Sequence, residues 1–178
     1  MQLIEALHNY MKIIKNFISV LSLLVGVAFA ASAQTPLASI DGTKIDVQGQ
    51  KGKVVILAVG ASWLPLSGKQ AEYTNQLAKK YAGKNVVIYF VTTDSTLPKS
   101  KNFASNENIL KFGTTNKLTV PILRDSDGAL TTEKFSVTQL PSFVILDKAG
   151  NQAGESFGGI DPKFDITIPI SRAVDKLL

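Results

Sequence analysis

The sequence predicts an α/β fold, a mixed central sheet covered by helices on both faces. Two continuous apolar runs, 54–59 and 86–91, carry that prediction together with the helical stretch between them. Unbroken rather than alternating apolarity means burial on both faces of a sheet. A strand, a helix and a second strand in so short a space form a βαβ unit, whose strands are parallel.

Each element follows from its residues. Residues 34–40 read as an irregular arm. Asp41-Gly42-Thr43 marks a turn, 44–47 a short strand, and 48–52 a second turn before the first buried run. A helix is expected over 66–82. Pro65 stands at its first turn, where an amide would have no partner. Tyr73, Leu77 and Tyr81 share one face, and Gly83 ends it. After the second run and a loop over 92–100, a helix is expected over 106–112, a strand over 120–123, a turn at 125–128 and a short helix over 130–135. Gln139-Leu140-Pro141 leads into a strand over 142–146, which turns at 147–150 and returns over 151–157 as a hairpin. Asp161-Pro162 is a helix start, and Pro169 confines the last helix to 171–178.

The chain divides into residues 1–33, an N-terminal extension and secretory signal peptide, and 34–178, the folded domain. Lys12 and Lys15 precede an uncharged apolar stretch over 17–30, and Ala31-Ser32-Ala33 forms a small-x-small cleavage site before Gln34. Met11 then reads as the true start. The apolar stretch falls short of the ~20 residues of a membrane span, although an uncleaved anchor is the alternative. Export to a periplasmic or other extracytoplasmic compartment follows, with membrane contact expected only through the transient signal peptide.

The absences are as informative. There is no cysteine, and the one histidine, His8, lies ahead of the signal segment. A domain with neither thiol nor imidazole has no disulfide, no thiolate nucleophile, no Ser-His-Asp triad and no Cys- or His-ligated metal. No cofactor and no metal are expected. Asp125-Ser126-Asp127-Gly128 is a turn and not a calcium loop, because setting Gly128 at the loop glycine puts Leu123 at the first ligand and Lys134 at the last. The formal charge is +5, but the basic residues are scattered, with Lys79-Lys80 and Lys99/Lys101 the nearest to a patch. A nucleic-acid surface needs a concentrated stripe, so no nucleic acid is expected as a partner.

Three segments carry a resemblance. Lys51 to Leu57, then Ala61-Ser62-Trp63-Leu64-Pro65-Leu66-Ser67, then Leu77 to Tyr81 resemble the thioredoxin-like superfamily, in particular the exported TlpA-like thiol-disulfide oxidoreductases of redoxin type. There a buried strand leads into Trp-Cys-x-x-Cys at the head of a helix. Trp63 and Pro65 match that motif. Leu64 falls at the nucleophilic cysteine and Ser67 at the resolving one. Leu140 to Gly150 resembles the family segment with a cis-proline facing the redox pair, so Pro141 is expected to be cis.

The resemblance implies a thioredoxin-like fold without its reaction, since disulfide exchange requires a thiolate. Ser67 reads as a capping hydroxyl at the helix start. Trp63, Leu64, Pro65, Leu66, Leu140 and Pro141 are expected to form an apolar patch, and Gln139 and Leu140 to offer backbone to an extended peptide. The leading expectation is a redox-inactive protein that binds or scaffolds an exported protein or peptide at the former active-site groove, formed by Trp63, Leu64, Pro65, Leu66, Ser67, Gln139, Leu140 and Pro141. Two alternatives stand beside it: an enzyme using Ser67, Tyr73, Asp94 or lysines in non-cysteine chemistry, and a structural domain of an envelope assembly.

Overall fold

The computed structural model describes residues 36–178. In chain order they form β1 (Pro36–Ser39), β2 (Lys44–Asp46), β3 (Val54–Gly60), α1 (Ser67–Lys80), β4 (Val86–Thr92), α2 (Asn106–Thr115), β5 (Ile122–Arg124), α3 (Ala129–Phe135), β6 (Ser142–Leu146), β7 (Phe157–Gly158) and α4 (Thr167–Asp175). One seven-stranded sheet runs in the order β2-β1-β5-β4-β3-β6-β7. This is a thioredoxin-like, mixed α/β fold.

The three inner strands β3, β4 and β5 are parallel, with Val54 opposite Val86 and Phe90 opposite Ile122. β6 runs antiparallel to β3, with Ala58 opposite Phe143. The strand period of two separates two core layers. Val54, Ile56 and Ala58 of β3 face Tyr73 and Leu77 of α1, Tyr81 just past its end, and Ile170 and Val174 of α4. Val55, Leu57 and Val59 face the other way, toward Leu37, Val47, Phe135 and Val137. The unbroken apolarity of the runs is thus read twice, once by each layer. Phe112 of α2 joins the first layer, its ring centroid 5.5 Å from that of Phe90.

Four expectations are corrected. Residues 36–39 are no irregular arm: they form β1, paired antiparallel with both β2 and β5, and Leu37 is buried in the second layer. Pro169 does not delay the last helix, because it is the third residue of α4, where an amide has no acceptor within the helix. Asp161-Pro162 opens a turn, with Phe164 N–H bonded to Asp161 O at 3.0 Å, and the helix starts at Thr167. The hairpin return is also shorter than its apolar residues suggest, with ladder pairing confined to Ser142–Gly158 and Phe143–Phe157 and an isolated bridge at Gln152. The signal segment lies outside the described residues.

Candidate functional site

The C-terminal end of β3 opens into a tight turn. Leu64 N–H bonds to Ala61 O at 3.2 Å and Ser67 N–H to Leu64 O at 3.1 Å, so α1 starts directly from the turn. Its start has no side-chain cap and no acidic residue in the first turn. Ser67 is fully buried and does not cap: its hydroxyl donates to Ala61 O at 2.5 Å, closing the turn from inside. That corrects the capping role expected of it.

Two buried polar residues hold this turn. Asp94, just past β4, accepts from the amide of Ser62 at 2.8 Å, from its hydroxyl at 2.6 Å, and from the hydroxyl of Thr92. Gln70 points from α1 into the sheet and donates to Val59 O at 3.0 Å and Ser142 O at 2.9 Å. Ser142 follows the cis Leu140–Pro141 peptide bond. One side chain therefore joins the head of α1, the end of β3 and the cis-proline segment. Gly60 is required by the same contact, since a Cβ there would meet Gln70 Oε1 at 2.2 Å. Gln70 Oε1 and Ser142 Oγ are buried without a partner among the described residues.

Of the expected groove residues, Trp63 is 53% exposed and Pro65 exposed, while Leu64, Leu66 and Leu140 are half-buried and Pro141 is buried. Leu66 packs on the core layer beneath α1 and α4, and Leu140 on the layer across the sheet. Gln139 is exposed and lies against Gly158 and Gly159. Among the described residues the backbones of Gln139 and Leu140 form no hydrogen bond.

The residues considered for other chemistry do not converge. No carboxylate, amine or phenol bonds to the Ser67 hydroxyl among the described residues. Tyr73 donates to Phe164 O at 3.2 Å, and Lys69 pairs with Glu72 at 2.8 Å, which raises the Lys69 pKa. Gln70 and Arg124 were missed in the sequence reading. Gln70 was within reach of it, because it falls on the inward stripe of α1 with Tyr73, Thr74 and Leu77. Arg124 donates to the carbonyls of Asp94, Ser95 and Ala104 and to Asn106 Oδ1, and burial lowers its pKa against the opposing pull of Asp94. No sequence signal links it to those partners.

Comparison with known proteins agrees with this architecture. The family model described as Redoxin matches residues 24–155. The chain is 31% identical over 119 residues to the thiol-disulfide oxidoreductase ResA of Bacillus thuringiensis subsp. konkukian, covering 67% of this chain and 63% of ResA. It thus spans less than two thirds of that relative. Among solved structures it is similar to the exposed lipoprotein thioredoxin Etrx1 of Streptococcus pneumoniae, with TM-score 0.61, 26% identity, and coverage of 79% of this chain and 99% of the other. It is also similar to a secreted Mycobacterium tuberculosis disulfide oxidoreductase, with TM-score 0.62, 19% identity, and coverage of 81% and 96%.

Proposed function

This chain belongs to the Redoxin family, and from a member without a cysteine we propose a redox-inactive exported protein that holds an extended segment of a partner protein at the former active-site groove. The observation that carries the reading is the pairing of a kept frame with absent thiols. The turn into α1 and the cis Pro141 segment that the resemblance implies are in place, joined in this chain by Gln70, while Leu64 and Ser67 stand where the family's cysteines would be. Exchange of disulfides needs a thiolate, and leucine has no electron pair to offer. Ser67 Oγ is buried, donates to a carbonyl, and has no base at hydrogen-bond distance among the described residues, so it is not an activated nucleophile.

The frame still suits binding. The backbone of Gln139 and Leu140 is available to a peptide laid alongside, which is strand addition, and Trp63, Leu64, Leu66 and Leu140 offer apolar contact. Aromatic anchors such as Trp63 commonly dominate such interfaces. The apolar 17–30 stretch and the secreted and surface-exposed relatives support export.

The test is affinity capture of the tagged full chain from its native envelope, beside a Leu64→Asp/Leu140→Asp variant. A partner retained by the native chain and lost by the variant supports the groove. The same partner from both places the contact elsewhere on the fold.

A further inference from the structure

Between β4 and α2 the chain makes a closed excursion over residues 95–104. Arg124 of β5 clamps its stem from below. One guanidinium nitrogen donates to Asp94 O and Ser95 O on the outgoing side, both at 3.2 Å, and to Ala104 O on the return at 2.9 Å. The other reaches Asn106 Oδ1 at 2.6 Å. Within the loop Ser95 N–H bonds to Asn102 O at 2.9 Å and Ala104 N–H to Ser95 O at 3.2 Å. Two turns, Ser100 N–H to Leu97 O and Phe103 N–H to Ser100 O, fold the tip. Such a compact loop with joined ends is an Ω-loop, a common carrier of function.

The tip of this loop is apolar and basic. Leu97 is 64% and Phe103 41% exposed, with Pro98, Lys99 and Lys101 exposed between them. No acidic residue occurs from 95 to 106. A held stem means that the exposed leucine and phenylalanine belong to an ordered loop and not to a frayed one. The base of the loop is tied to the turn that precedes α1, because Asp94 holds Ser62.

We propose that the 95–104 loop docks on an anionic lipid surface, with Leu97 and Phe103 entering the interface and Lys99 and Lys101 meeting the headgroups. Exposed aromatic and leucine side chains alternating with lysine suit the boundary between headgroup and acyl chain, where apolar burial and attraction to anionic lipid add. An acidic peptide is the weaker match. The loop's amides are largely spent inside it or on its stem, so it offers no open edge for strand addition. This proposal is independent of the groove reading, and either can fail while the other stands.

The chain has no cysteine, so Asn102→Cys in the full-length protein gives one labelling position for an environment-sensitive fluorophore. Vesicles of phosphatidylcholine mixed with phosphatidylglycerol are expected to blue-shift the label, and salt to reverse the shift. Lys99→Glu/Lys101→Glu should weaken this response by at least about thirtyfold, given roughly a fivefold gain per lysine near an anionic surface. Leu97→Ser/Phe103→Ser should abolish the shift with an unchanged circular dichroism spectrum. A label that stays unshifted on these vesicles, even with the protein bound, overturns the proposal. So does an equal response on phosphatidylcholine alone, or a response only to a peptide of glutamate and leucine.

Discussion

Removing the Asp94 carboxylate is expected to loosen the turn that carries Trp63 and Leu64. Asp94 is 1% exposed and accepts three hydrogen bonds, from the Ser62 amide, the Ser62 hydroxyl and the Thr92 hydroxyl. Hydrogen bonds to a charged group contribute roughly 1.5–3 kcal/mol each. In Asp94→Ala, Ser62 is half-buried and regains water, while Thr92, 1% exposed, must rotate or stay unpaired. A net loss of about 3 kcal/mol follows. For a domain of about 140 residues with an unfolding entropy near 2.1 cal/mol/K per residue, that lowers the midpoint by about 10 °C. Asp94→Asn should lose less, since its Nδ2 can stand at the Oδ1 position and donate to the Ser62 hydroxyl while its oxygen still accepts from the Ser62 amide and the Thr92 hydroxyl. Thermal unfolding by circular dichroism measures both variants, and a peptide-amide exchange experiment should show Ser62 N–H losing protection. A midpoint for Asp94→Ala within about 2 °C of the native protein would refute the argument, because the side chain would then not be holding the turn.

Two further predictions concern the frame. Gly60→Ala puts a Cβ 2.2 Å from Gln70 Oε1, and the buried Gln70 amide can withdraw only by giving up its bonds to Val59 O and Ser142 O. A loss of roughly 2 kcal/mol is expected in chemical denaturation, within the range for overpacked cores. The second concerns Asp175 of α4, whose pKa is lowered, first by the Tyr81 hydroxyl that donates to it at 2.8 Å and then by Lys80. A carboxyl lowered in the folded state adds stability that is present above its unfolded pKa and fades as pH falls through the folded value. Tyr81→Phe should therefore raise the Asp175 pKa toward the ordinary carboxylate value in an NMR titration and flatten the acid limb of stability. An unmoved titration would assign the lowering to the lysines.

How much of this was legible in the sequence depended on whether the cause was local. The runs at 54–59 and 86–91 and the stripe Tyr73, Leu77, Tyr81 announce their elements through composition and spacing alone, and the structure places the stripe in the first core layer and divides the runs between the two layers. The cis Leu140–Pro141 bond was expected only from family resemblance. β1 was missed because four residues reading Pro-Leu-Ala-Ser carry no period, and the strand exists through its partners on both sides. Ser67 was given a cap it does not make, because the acceptor that claims its hydroxyl, Ala61 O, is set by the shape of the turn. Arg124 is the extreme case: its four acceptors lie 18 to 30 residues away in the chain and meet only once the sheet is assembled.

The central claim, that the former active-site groove grips a partner, is tested most directly by photo-cross-linking in the native envelope. A photoreactive side chain at Leu140 is compared with one at Lys79, exposed at the far end of α1. The groove reading predicts a discrete cross-linked protein from position 140 and none from 79. Equal products from both positions, or a product from 79 alone, would contradict it.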